Sequence, residues 1–163
     1  MIPPTAMANA FGRNVDIVKL QVAGLSQADS LIQLPFRSNC MNWVVGHLIT
    51  NRLSVFRLLG VEDIPFDTDS LARYQRESEP ITGEEEGVLP LEQLMAMLEQ
   101  SQARLAERLE TIIAEDLAHP VALFGSRSKP VAEWVFFFYF HDCYHTGQTE
   151  ILRQAAGTND KII

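Results

Sequence analysis

The stretch Trp134-Val135-Phe136-Phe137-Phe138-Tyr139-Phe140-His141-Asp142-Cys143-Tyr144-His145-Thr146-Gly147-Gln148 decides how this chain is read. Its apolar run from Trp134 to Phe140 is far too short to cross a bilayer, which takes about 20 residues of helix, so it belongs inside protein. Spaced three or four apart, Trp134, Phe138, His141, His145, Gln148 and Leu152 lie along one helix face. Two imidazoles on the stripe that should enter the core are better explained by a metal than by packing. Histidines at i and i+4 carry their ring nitrogens to adjacent corners of one ion. The helix is expected from Val131 to Ala156, stopped by Gly157.

Outward from it, periodicity and punctuation predict three more long helices. The first runs from Met7 to Ala23, with Phe11, Val15, Val18 and Val22 on one face and Gly24 to end it. Ser26-Gln27-Ala28-Asp29 forms a capping box for a short turn that Pro35 closes. Ser38 or Asn39 caps the second long helix, which carries Trp43, Val44, His47, Leu48, Leu53, Phe56 and Leu59 to Gly60. A broken, polar crossover follows from Val61 to Leu89, with a short helix near Ser70 to Arg76. Pro90 opens the third long helix, whose stripe is Leu91, Leu94, Met95, Leu98, Leu105, Leu109 and Ile112. Residues 114–130, with Gly125-Ser126-Arg127-Ser128, read as an irregular loop over one end.

The expected fold is therefore all-α: a single domain over residues 1–163, a four-helix bundle without a sheet of consequence. Its long crossover lets the second and third long helices lie parallel, giving an up-down-down-up order. His47 lies roughly 12 Å into its helix, and His141 and His145 roughly 15 to 21 Å into theirs, at about 1.5 Å per residue. The three then meet near mid-bundle and bind one divalent ion with a coordination position left open. His119, before Pro120, is placed in a loop, away from the ligand set.

Composition narrows the function. The chain has 163 residues with 13 Lys+Arg against 21 Asp+Glu, a net charge of -8. Such a surface repels polyanions, so nucleic acid and anionic membranes are not expected partners. Met1-Ile2-Pro3-Pro4-Thr5 lacks the basic and apolar regions of a secretory signal, and a cytoplasmic location is expected. Cys40 and Cys143 form no Cys-x-x-Cys pair and are read as reduced, small buried hydrophobes. No Glu-x-x-His pair, His-Glu-x-x-His, phosphate loop or Gly-x-Ser-x-Gly is present.

Asn42-Trp43-Val44-Val45-Gly46-His47 together with His141-x-x-x-His145-x-Gly147-Gln148 resembles the DinB-like superfamily of YfiT-type metal-dependent four-helix-bundle proteins. The resemblance implies the up-down-down-up bundle, His47, His141 and His145 as metal ligands, zinc, nickel, iron or manganese as the metal, and frequent homodimers. It also implies thiol-dependent transferases and isomerases using a low-molecular-weight thiol as cosubstrate.

Three functions stay open on this reading. One is a metal-dependent enzyme acting on a small molecule, a thiol S-transferase, with Arg127 or Lys129 steadying an anionic group under the loop 114–130. Another is a binding or sensing protein that holds a metal or small ligand without turnover. The last is a helical dimer in which the three histidines are hydrogen-bonded core residues. A homodimer through the first or fourth long helix follows from the aromatic run 135–140, which is apolar on nearly all sides.

Overall fold

A computed structural model describes residues 2–125 and 127–162; Ser126, part of the turn signal in the loop, lies outside the described residues. The chain is mostly helical, with long helices α1 (Pro4–Val22), α3 (Met41–Leu59), α4 (Leu91–Thr111) and α6 (Val131–Ala155) and short helices α2 (Gln27–Ser30) and α5 (Ala114–Ala118). α1 starts earlier than its apolar stripe because Pro4 suits the first helical position, where no N–H is needed. α2 is opened by the expected capping box: Asp29 N–H donates to Ser26 Oγ at 3.2 Å, and Ser26 N–H donates to the Asp29 carboxylate at 2.8 Å.

The cap of α3 differs from expectation. Cys40, rather than Ser38 or Asn39, occupies the capping position, in extended backbone and with no side-chain bond to the helix. Cys40 is fully buried, so burial of its thiol, rather than a polar cap, sets where the chain enters the helix. At the other end Gly60 takes the left-handed φ of 67° that terminates the helix, and the Val61 N–H donates to Phe56 O at 2.9 Å.

The crossover from α3 to α4 is more ordered than its polar sequence suggests. It contains a 3₁₀ turn (Asp69–Tyr74), and it sends Leu71, Tyr74 and Ile81 into the core, each fully buried. The loop after α4 is likewise not wholly irregular. It holds α5, and Pro120–Val121 (β1) pairs antiparallel with Lys129–Pro130 (β2) directly before α6.

α1 packs against α4 and α6, and α3 packs against the same two helices. Cross-helix contacts fix the registers. Phe11 meets Tyr139 and Asn14 meets Cys143 between α1 and α6, while the Arg153 guanidinium donates to Gln21 O at 2.8 Å. Arg52 meets Asp142 between α3 and α6; Arg52 meets Gln102 and Leu59 meets Arg108 between α3 and α4. Ala8 and Lys19 of α1 reach Gln102 and Glu99 of α4.

The apolar core has two parts. One gathers Trp43, Val44, Leu48, Tyr74, Leu94 and Leu98; the other gathers Phe11, Val55, Phe56, Leu105, Val135 and Phe138. In α3 the two meet at Arg52, a fully buried cation. No helix among the described residues is long and apolar enough to cross a membrane.

Candidate metal centre

The first half of α3 and the middle of α6 bring His47, His141 and His145 together. Their ring centroids lie 5.3 Å apart for His47 and His141, 4.8 Å for His47 and His145, and 4.4 Å for His141 and His145. Each offers a ring nitrogen within 4.8 Å of the other two, and they are the group among the described residues able to hold a metal ion. His47 and His145 are buried and His141 is half-buried.

Hydrogen bonds turn the rings. The His47 Nδ1–H donates to Tyr74 O at 2.8 Å, and the His145 Nδ1–H donates to Gln148 Oε1 at 2.7 Å. Because both acceptors are oxygens, each Nε2 is left unprotonated with its lone pair free, the tautomer a ligand needs. At His141 the partner is Asn51, whose amide nitrogen lies 2.9 Å from Nδ1 and also donates to His47 O at 3.1 Å. With that amide donating, His141 carries its proton on Nε2. Ligation through Nε2 requires the Asn51 amide to turn over and present its oxygen.

Electrostatics hold the cluster neutral. Burial, opposed by the bond to Tyr74 and reinforced by the other two histidines, pushes His47 down to about 4. Burial and the neighbouring His145 push His141 down to about 4 as well, and burial lowers His145. Three neutral imidazoles without a carboxylate among them suit a divalent cation of borderline softness, so the donor set fits the expected metal.

The motif Asn42-Trp43-Val44-Val45-Gly46-His47 acquires a physical meaning from the crossover. Trp43 stacks on His47 with centroids 4.4 Å apart, and its Nε1–H donates to Ser78 Oγ at 3.0 Å. Asn42 accepts from the Tyr74 hydroxyl at 3.0 Å and donates to Leu89 O at 2.9 Å. Gly46 lies directly under the Tyr74 ring: a Cβ there would sit 2.1 Å from Tyr74 Cδ1. The missing side chain is what lets the Tyr74 carbonyl reach His47.

Other residues singled out by sequence stand elsewhere. His119 caps the end of α5, exposed, with its carbonyl accepting from Val131 N–H at 2.9 Å. Lys129 lies over the Trp134 ring, 5.3 Å from its centroid. The arginine whose charge acts on both His47 and His141 is Arg76, from the crossover. A basic group beside the imidazoles thus comes from the crossover between α3 and α4. Among the supporting residues, Asn51 and Gln148 were legible as helical neighbours of His47 and His145. Tyr74, 27 residues from His47, has no local spacing signal.

The sequence profile of the DinB superfamily matches residues 18–149, which include all three histidines and the crossover. The chain belongs to the DinB superfamily. None of the curated proteins matches it. The stretch that matches the DinB superfamily holds the three histidines of α3 and α6.

Two outcomes follow. Gly46→Ala should displace Tyr74 and release His47 Nδ1, weakening metal binding by about 10- to 100-fold, the usual cost of losing a ligand's orienting partner; competition with a chromophoric chelator measures this, and an unchanged affinity would contradict it. The second concerns pH. The folded chain keeps His47 and His141 neutral down to about 4, whereas the unfolded chain protonates them near 6.5. Unfolding therefore takes up protons in that window, so metal-free stability is fully present above about pH 6.5 and falls as pH drops toward 4. Urea midpoints across this range should fall less steeply in a His47→Gln/His141→Gln variant.

Proposed function

We infer that this chain binds one divalent metal ion through His47, His141 and His145 and is a metal-dependent enzyme acting on a small molecule, with thiol S-transfer as its reaction. The observation that carries this is the convergence of three neutral imidazoles from two helices, with donor atoms within 4.8 Å of one another. Hydrogen bonds from Nδ1 leave the Nε2 lone pairs of His47 and His145 free, which a histidine cluster serving packing alone would not need. The bound ion supplies a Lewis acid that keeps a thiol sulfur deprotonated at neutral pH. The chain's own part is orientation and exclusion of water. Tyr74 O and Gln148 hold two rings in the ligating tautomer, and Trp43 covers the His47 face.

The same reading takes residues 1–163 as one up-down-down-up four-helix bundle. The contacts between α1 and α6, and between α3 and α4, climb both helices together, as parallel neighbours do. Those between α3 and α6 run in opposite senses: His47 faces His145, while Arg52 faces Asp142. It also takes the protein as a homodimer through α6. Phe136, Phe137 and Phe140 are 49%, 41% and 64% exposed there. They line an apolar groove of about 550 Å³ that also reaches Met7 of α1. Contiguous apolar surface of this kind is the mark of an interface.

Elemental analysis of untagged protein should find about one divalent ion per chain, and none in His145→Ala, as expected when one of three ligands goes; a metal-free parent protein would remove the coordination reading. Cobalt-loaded protein should gain a thiolate-to-cobalt charge-transfer band on adding L-cysteine, and its absence would remove the S-transfer. Sedimentation should show a dimer at micromolar concentration that Phe140→Glu converts to monomer; a monomeric parent protein would refute the interface.

A further inference from the structure

A second cavity, of about 430 Å³, lies beside the imidazoles and shares two residues with their surroundings. Trp43, stacked on His47, forms part of its wall, and so does Gln148, bonded to His145. The rest of the apolar wall comes from Leu34, Phe36, Pro80, Ile151 and Leu152. Its charged lining is Arg37, before α3, and Arg76, from the crossover, and no carboxylate lines it. That composition runs against the chain, where 21 acidic residues outnumber 13 basic ones.

Neither Arg37 nor Arg76 has an ion-pair partner among the described residues, as is true of Arg13 and Arg57 but not of Arg52, Arg73, Arg104, Arg108 and Arg153. Ser38, also in the lining, has a buried Oγ without a hydrogen-bond partner among the described residues. Two guanidinium forks in one lining with indole and aliphatic surface match an oxyanion carried on an apolar body.

We propose that this cavity is the substrate subsite of the histidine centre, and that it takes a small organic molecule whose carboxylate or phosphate is held by Arg37 and Arg76 while its apolar part lies on Trp43, Leu34 and Leu152. The assignment rests on the reading of His47, His141 and His145 as the reactive centre. It differs from the clamp expected on the loop 114–130, because Lys129 opens instead onto the apolar groove beside Phe137. Arg37 and Arg76 come from the segments on either side of α3 and meet at one cavity only in the folded chain.

The test uses the full chain stripped of metal with EDTA, so that no ion competes for the anion. 4-Phenylbutyrate, phenyl phosphate and the neutral 4-phenylbutanamide are titrated by calorimetry. At least one of the two oxyanions should bind about tenfold tighter than the amide, with the carboxylate and phosphate arms telling which headgroup fits. Arg37→Gln and Arg76→Gln should each weaken that oxyanion about tenfold, the scale of one charge-assisted contact, and leave the metal content of reloaded protein at the parent value. Equal binding of amide and anions, no binding of any probe at millimolar concentration, or an unchanged affinity in the Arg37→Gln/Arg76→Gln double variant would overturn the subsite. Metal uptake without anion selectivity overturns this subsite alone. Anion selectivity without metal uptake overturns the coordination reading and leaves the cavity's preference standing.

Discussion

The guanidinium of Arg52 and the carboxylate of Asp142 meet at 2.9 Å with side chains 0% and 2% exposed. Arg52 stands on α3 and Asp142 on α6, and the same guanidinium donates to Gln102 of α4 at 3.0 Å and to Phe11 O of α1 at 3.3 Å. It also lies 4.2 Å from the Phe11 ring centroid. One cation therefore touches all four long helices. Burial disfavours its charged form, and Asp142 opposes that. Net stabilisation from such a pair is small, but separating it leaves an uncompensated buried charge at a cost of about 3–5 kcal/mol. Sliding α3 along α6 by one turn, about 5.4 Å, would do just that. The pair thus penalises every register but one, and in that register His47 faces His141 and His145.

The crossover between α3 and α4 gives the site its second constraint. A polar, proline-interrupted segment would ordinarily be a solvated connection, but Leu71, Tyr74 and Ile81 bury it against α3. Tyr74 uses its hydroxyl to join Asn42 and Leu89 and its carbonyl to hold His47. Folding energy from burying one aromatic ring and orientation of one ligand are here the same event. The absence of a side chain at Gly46 is what permits it. Arg76 follows two residues later, which is how the segment that fixes the ring also delivers positive charge to the cavity beside it.

Much of this was legible because helices write a short-range code. The i, i+4 spacing of His141 and His145, the apolar stripes of α4 and α6, the capping box at Ser26 and the terminating Gly60 all depend on neighbours within about one turn, and each appears where periodicity puts it. Long-range contacts left no such trace. Asp142 looks like an ordinary polar residue between two ligands, and Arg52 like a surface cation within an apolar helix. Nothing in their spacing marks them as partners 90 residues apart. The cap of α3 went to Cys40 because core burial outweighed a polar cap.

The amino-acid sequence by itself determined a mostly helical chain, the extent of its long helices to within a few residues, membership of the DinB superfamily, and the three histidines as one candidate site. Tertiary structure alone decided which atoms orient those rings, which register joins α3 to α6, and where positive charge meets the cavity at Trp43. The division has a physical cause. Helix faces and caps are set by side chains one turn apart, whereas a buried ion pair, a carbonyl at a ring nitrogen and a shared cavity exist only once distant segments have been brought into contact.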